Sequence, residues 1–231
     1  GGAGGGSPIF PMSPELYPFL RLLLALEASV LPKTEQYNDL LTAFEHGRRQ
    51  AFSNDPDDRG GATIYGVTLQ TYRHFLSDYY GLPDAADATA AELQAIRFTD
   101  WVRIVQRYYW EPLDCPNMRW QNAATCVADF AFNSGTRRAA RAMQQALNRL
   151  MDDDKRAMTP LVVDGIVGPL TRTCMRRLVC NQARADAFCH LVCDFRIDFL
   201  QAAAQRGRIH EKFMAGLLNR VERVRLQCTA D

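Results

Sequence analysis

The sequence predicts a mainly α fold with one small β excursion. Three observations carry that expectation. Apolar residues recur at three- and four-residue spacing in several long runs bounded by capping signals. A single stretch, from Arg48 to Val67, lacks helical period and combines turn residues with β-branched and aromatic ones. No alternation of strands with helices suggests a parallel sheet, and no internal repeat is visible. At 231 residues, 47% apolar and 23% charged, the chain can bury a sizeable core as one domain, or one domain with a smaller appendage.

Taken in order, Ser13-Pro14-Glu15 places a cap and a first-turn proline ahead of a helix from about 14 to 30, interrupted by Pro32. A second helix, about 35 to 46, carries Leu40, Leu41 and Phe44 on one face and is expected to end at Gly47. In "NDPDDRGG" the prolines and glycines force turns, and "ATIYGVT" reads as a short strand or hairpin. Thr68 is placed to cap a helix through about Tyr80, and Thr89 with Glu92 forms a capping box opening a long helix to about Tyr109. "NAATCVADFAFNSG" reads as a buried helix stopped by Gly135, followed by the amphipathic "TRRAARAMQQALNRLM". A loop with a small extended element leads to helices from about 170 to 205, broken near Cys180, and from about 210 to 227.

A net charge of +1 gives no global drive toward nucleic acid. The basic charge is nearly all arginine. From Leu170 to Asp231 eleven Arg or Lys face six Asp or Glu, which suits an anionic polymer but equally a solvated helix face. No CxxC pair occurs among the seven cysteines. Cys189, His190 and Cys193 share a helical turn and could ligate a metal, although thiols in an alanine-rich helix more often behave as small buried hydrophobes. Disulfides are possible outside the cytoplasm, with at least one thiol left over. The opening "GGAGGGS" reads as a flexible linker, and the N-terminus shows no signal-peptide pattern. "LYPFLRLLLALEASVL" is interrupted by Arg21 and Glu27 and is too short to span a bilayer.

The chemistry concentrates in "FEHGRRQAFSNDPDDRGGATIYGVT", residues 44 to 68. Breaking a glycosidic bond requires a carboxylic acid to protonate the leaving oxygen and a second group to place water or balance charge. Glu45 suits the first role if a partly apolar cleft surrounds it at a helix end. Asp55, Asp57 and Asp58 offer a second carboxylate. Gly60-Gly61 lets backbone approach a sugar closely, and the Thr63 hydroxyl can hold a water.

This stretch resembles the signature of the glycoside hydrolase family 108 muramidases, roughly E-G-G-Y and then N-D-P-x-D-P-G-G-x-T-x-x-G-I-T. The likeness continues in "RYYWEPL" (107 to 113), "VADFAFNSGTRRAARAMQQALN" (127 to 148), "VDGIVGPLT" (163 to 171), "VCDFRIDFL" (192 to 200) and "LLNRVERVR" (217 to 225), covering about residues 38 to 226. It implies a lysozyme-like helical fold with a hairpin beside the active-site helix, and a peptidoglycan-binding region around the Asp164-Gly165 turn. It places the general acid at Glu45, the second carboxylate at Asp58 and the water-holding threonine at Thr63, without metal or cofactor. Asp55, Asp57, Tyr65, Tyr109, Trp110 and Asn133 become candidate substrate contacts. Aromatics such as Tyr109 and Trp110 at the end of a long helix are more often core, and Asn133 more often caps a helix end. His46 replaces a glycine of the pattern and lines the cleft or faces solvent; Arg59 replaces a proline, which leaves the choice among the three aspartates open.

The implied organisation is a linker over 1–7, a helical extension over 8–34, a catalytic lobe over 35–135 and a wall-binding lobe over 136–231. The expected activity is hydrolysis of the β-1,4 bond between N-acetylmuramic acid and N-acetylglucosamine, with a lytic transglycosylase or a non-catalytic wall-binding module as alternatives. A monomer is expected to act in the periplasm or on the wall, as a delivered effector with a cognate immunity protein or as a phage endolysin.

Overall fold

The computed structural model describes residues 15–58, 60–154 and 158–229. The expected cap at Ser13 and Pro14, the linker and Arg59 lie outside them. The chain divides into two compact units that part between Gln106 and Arg107, so residues 107–135 of the expected catalytic lobe fold with the C-terminal unit.

In the first unit, α1 (Leu16–Ala28) buries Leu16, Phe19, Leu20, Leu23 and Leu24 against α2. Its end is made by Ser29, left-handed at φ 54°, whose N–H reaches the Ala25 carbonyl. α2 (Tyr37–Ala51) continues past Gly47, where the sequence suggested a stop. Gly47 is there for close approach: a methyl group at that position would collide with the Tyr65 hydroxyl. Glu45 therefore sits inside the helix rather than at its end.

From Ala51 the chain passes directly into a three-stranded antiparallel sheet of β1 (Phe52–Ser53), β2 (Thr63–Ile64) and β3 (Val67–Thr68), in that order. Phe52 pairs with Ile64, Ser53 with Thr63, and Thr63 with Thr68. Positive φ at both Tyr65 (44°) and Gly66 (77°) joins β2 to β3 by the tight turn that strand twist favours. Thr68 caps α3 (Leu69–Tyr80) by accepting from the Thr71 N–H, and Gly81 closes it at φ 66°. The Thr89–Glu92 capping box opens α4 (Ala90–Gln94) as expected. The long helix expected to follow is instead broken into α4, α5 (Phe98–Val105) and a wide turn over 106–110. The break has an identifiable cause: Arg48 Nη1 takes the carbonyls of Gln94 at 2.7 Å and Ile96 at 2.8 Å, groups a continuous helix would use internally. Asp100, almost buried, receives the Tyr80 hydroxyl at 2.6 Å and Arg103 at 3.0 Å.

The second unit is built on α6 (Gln121–Ser134), packed by α7 (Thr136–Asp154), α9 (Gln182–Gln205) and α10 (Glu211–Cys228). Gly135, at φ 101°, stops α6. α8 (Pro169–Leu178) ends just before Cys180, and Asn181 caps α9, which is the expected break. At the centre Asp129, wholly buried, is clasped by Arg196 at 2.7 Å and Arg220 at 2.8 Å. Burial alone would raise its carboxyl, but the two guanidinium groups outweigh that and hold it at about 2. The 163–168 turn is structural: Gln144 donates to Asp164 at 2.9 Å and accepts from the Gly165 N–H at 2.9 Å.

Candidate active site

Glu45 projects from α2 with about half of its side chain exposed. Arg48, one turn on, grips both carboxyl oxygens, Nη2 at 2.7 Å and Nε at 3.2 Å. The same guanidinium uses Nη1 to hold the end of α4 and lies over the Phe44 ring at 4.9 Å. Arg48 thus fixes Glu45 from one side while being fixed from the other. Among the described residues no apolar enclosure surrounds the Glu45 carboxyl, which Arg48 and solvent flank. Sequence reasoning passed over Arg48, although an acid and an arginine three apart on a helix is a visible signal.

Beneath Glu45 the helix is fastened to the sheet. The Tyr65 hydroxyl donates to the Phe44 carbonyl at 2.9 Å, its ring stacks on Phe44 at 4.7 Å, and Trp101 Nε1 donates to the Tyr65 carbonyl at 3.2 Å. Burial pushes the Tyr65 phenol well above its usual range. With no exposed surface, Tyr65 meets no sugar. It moves from the expected substrate contacts to the frame that holds the Glu45 turn.

The loop after β1 folds on its own aspartates. Asp55 accepts the Asp57 N–H at 2.9 Å, and Asp58 accepts the Gly60 N–H at 2.9 Å. Both are turns closed by a side chain two residues back, and both spend one carboxylate oxygen internally. Asp57 and Asp58 are exposed, and Asp55 is half-buried. Thr63, half-buried, sits on the central strand between Ser53 and Thr68. The structure joins Glu45, the aspartate loop and Thr63 in one unit, through the direct passage from α2 into β1 and the Tyr65 anchor.

Glu45 opens on a shallow groove of about 420 Å³ shared with His46, Arg49, Ala91 and Gln94. His46 also lines a second groove of about 470 Å³ with Glu27 and Gln50. Among the described residues, Asp58 and Thr63 do not line the first groove. The remaining candidates belong to the second unit. Tyr109, half-buried, meets Phe132 edge-on at 5.1 Å. Trp110 has no exposed surface, which places it in the core reading of the sequence rather than the sugar-stacking one. Asn133 accepts from Arg196 at 3.2 Å and is thereby tied to the Asp129 cluster.

Among the described residues no cluster of three or more metal-binding side chains is present, and no helix is long and apolar enough to cross a membrane. Cys189 and Cys193 are buried, and His190 Nδ1 faces Arg225 at 3.1 Å.

The helical unit with its small hairpin has a lysozyme-like architecture, and Glu45 opens on its surface groove. Comparison with known proteins sharpens that class. Residues 42–135 match the family model Glycosyl hydrolase 108, and residues 138–222 match the one described as Predicted Peptidoglycan domain. The chain is a peptidoglycan N-acetylmuramidase with a peptidoglycan-binding region. Among solved structures it is similar to SagA of Brucella abortus, at 25% identity and a TM-score of 0.58, over 81% of this chain and 91% of that one. No curated protein matches it.

Proposed function

We propose that Glu45 is the proton donor of this muramidase. The observation that carries the proposal is its anchored yet accessible carboxyl, held by Arg48 over the groove. A glycan strand laid across α2 would supply the cover the free site lacks. Glu45 then gives its proton to that oxygen as the C1–O bond breaks. A water positioned by Thr63 attacks C1 and passes its proton to Asp58, whose second carboxylate oxygen the Gly60 contact leaves available. Asp55 and Asp57 shape the loop and contact the flanking sugar, and Tyr109 and Asn133 are sugar contacts of the second unit taken by itself. The catalytic sequence spans 35–135, running from the first unit into α6 of the second, and the wall-binding sequence spans 136–231.

The setting follows from the substrate. The protein works outside the cytoplasm, as a monomer, on the wall of a target cell. A delivered antibacterial domain accounts best for the extension ahead of α2, and it implies a cognate immunity protein that occupies the groove at Glu45. The phage endolysin is the other setting.

Digestion of purified peptidoglycan by the wild type and by Glu45→Gln, with muropeptides identified by mass, tests the assignment. Products ending in reducing muramic acid that vanish in the variant support it. Anhydro products would make the reaction a transglycosylation, and full activity in the variant would remove Glu45 from catalysis.

A further inference from the structure

The second unit contains a cavity of about 510 Å³ that the glycosidase chemistry does not use. It lies among the turns at 111–117, α7 and α8. Met143, Met175 and Val179, all buried, give it an apolar wall, and the exposed Arg119, Arg172 and Arg176 give it a cationic one. Asp114 is the acidic residue lining it, and its carboxylate is already engaged by Asn117 at 2.7 Å and, more distantly, by Arg172 at 3.8 Å. Trp120 also lines the cavity. Its indole N–H is turned away from solvent. One face of the same ring is covered by the Arg119 guanidinium at 5.3 Å.

We infer that this cavity binds the acidic stem peptide of peptidoglycan rather than its glycan. The inference rests on the reading of the chain as a peptidoglycan hydrolase, and it names the part of the polymer the second unit holds. Three guanidinium groups against one engaged carboxylate favour an anionic ligand, and arginine pairs with carboxylates through two parallel hydrogen bonds. An apolar wall of two methionines and a valine suits short alkyl side chains such as alanine methyls. A sugar fits this lining poorly, because it calls for an open aromatic face and polar side chains. Here Arg119 already covers a Trp120 face, and the wall opposite is thioether and alkyl. The stem peptide of the wall supplies free carboxylates and small alkyl side chains together.

The test is calorimetric titration of the full chain with a synthetic stem tetrapeptide carrying no sugar, and with the same peptide amidated at its carboxylates. Binding of the acidic peptide is expected. A tenfold or greater loss is expected on amidation, and again in the Arg119→Ala/Arg176→Ala double variant. The amidated peptide keeps the result independent of any folding defect in the variant. In parallel, kcat/KM is measured on intact wall and on glycan stripped of stem peptides. Wild type should prefer intact wall, and the double variant should lose that preference at least fivefold. Absence of peptide binding, or binding indifferent to amidation, overturns the inference even if the wall is hydrolysed normally. Peptide binding with no hydrolysis of either substrate would instead overturn the muramidase reading and leave the cavity assignment standing.

Discussion

The fit between Gly47 and Tyr65 can be tested quantitatively. In an open helix interior, Gly→Ala stabilises by roughly 1 kcal/mol. At Gly47 the added methyl would land on the Tyr65 hydroxyl, 2.9 Å from Val30 Cγ2 and 3.2 Å from the Ala28 methyl. The Tyr65 ring is wholly buried and stacked on Phe44, so it cannot swing into solvent. Its hydroxyl would have to leave the carbonyls of Phe44 and Ala43. A displaced buried hydroxyl costs about 1–3 kcal/mol, and overpacking costs about 1–3 kcal/mol more. Against the helical gain, Gly47→Ala should destabilise by about 2–4 kcal/mol. In a Tyr65→Phe background the main obstacle is gone and only Val30 and Ala28 resist. The cost should then fall, giving a coupling of about 1 kcal/mol or more in a double-mutant cycle. Urea unfolding of the four proteins measures the cycle, and hydrogen exchange of the α2 amides assigns the loss to the first unit. Gly47→Ala as stable as wild type, or strictly additive energies, would refute the reasoning.

Arg48→Lys keeps the charge but loses the fork on Glu45, so kcat should fall by roughly ten- to a hundredfold in muropeptide release, as expected for a misplaced reacting group. Asp129→Asn would take the counter-charge from the buried Arg196 and the half-buried Arg220 and should destabilise the second unit by about 3–5 kcal/mol in denaturant unfolding. Because the Asp129 carboxyl is held at about 2 in the folded protein, below its ordinary 3.8, its contribution is complete above roughly pH 4 and is lost as pH falls toward 2. Acid titration of stability should show a loss of about 2 kcal/mol across that window, missing in the Asn variant. With Cys180 half-exposed and the other six thiols buried, a thiol reagent should label Cys180 first. Labelling of the others should require unfolding, since burial also pushes Cys115, Cys174 and Cys228 up.

What was legible in the sequence was local. Thr68, the Thr89–Glu92 box, Gly81 and Gly135 each satisfy helix ends with groups a few residues away, so their signals survive in a single chain read linearly. What misled was a local rule overridden from a distance. Gly47 looks like a stop, yet a tyrosine from the hairpin needs the space a side chain would fill. The helix expected from 89 to 109 breaks because an arginine 46 residues earlier takes the Gln94 carbonyl. Glu45 is proposed from its neighbours in sequence, whereas its arginine-lined, open surroundings depend on how α4 meets α2. Tyr65 and Trp110 carry the aromatic surface a sugar would prefer, and only burial decides that they serve packing.

The Asp129 cluster also has a kinetic side. The carboxylate meets its first arginine partner 67 residues downstream and its second 91 residues downstream. Until α9 and then α10 arrive, that charge belongs in water, so α6 cannot bury its middle early without a heavy penalty. The second unit should therefore close late and all at once, with α10 as the element that completes it. Refolding would be slowed most by changes at Arg220, and an intermediate with α6 and α9 docked but α10 free would keep Asp129 hydrated and the helices loosely apart.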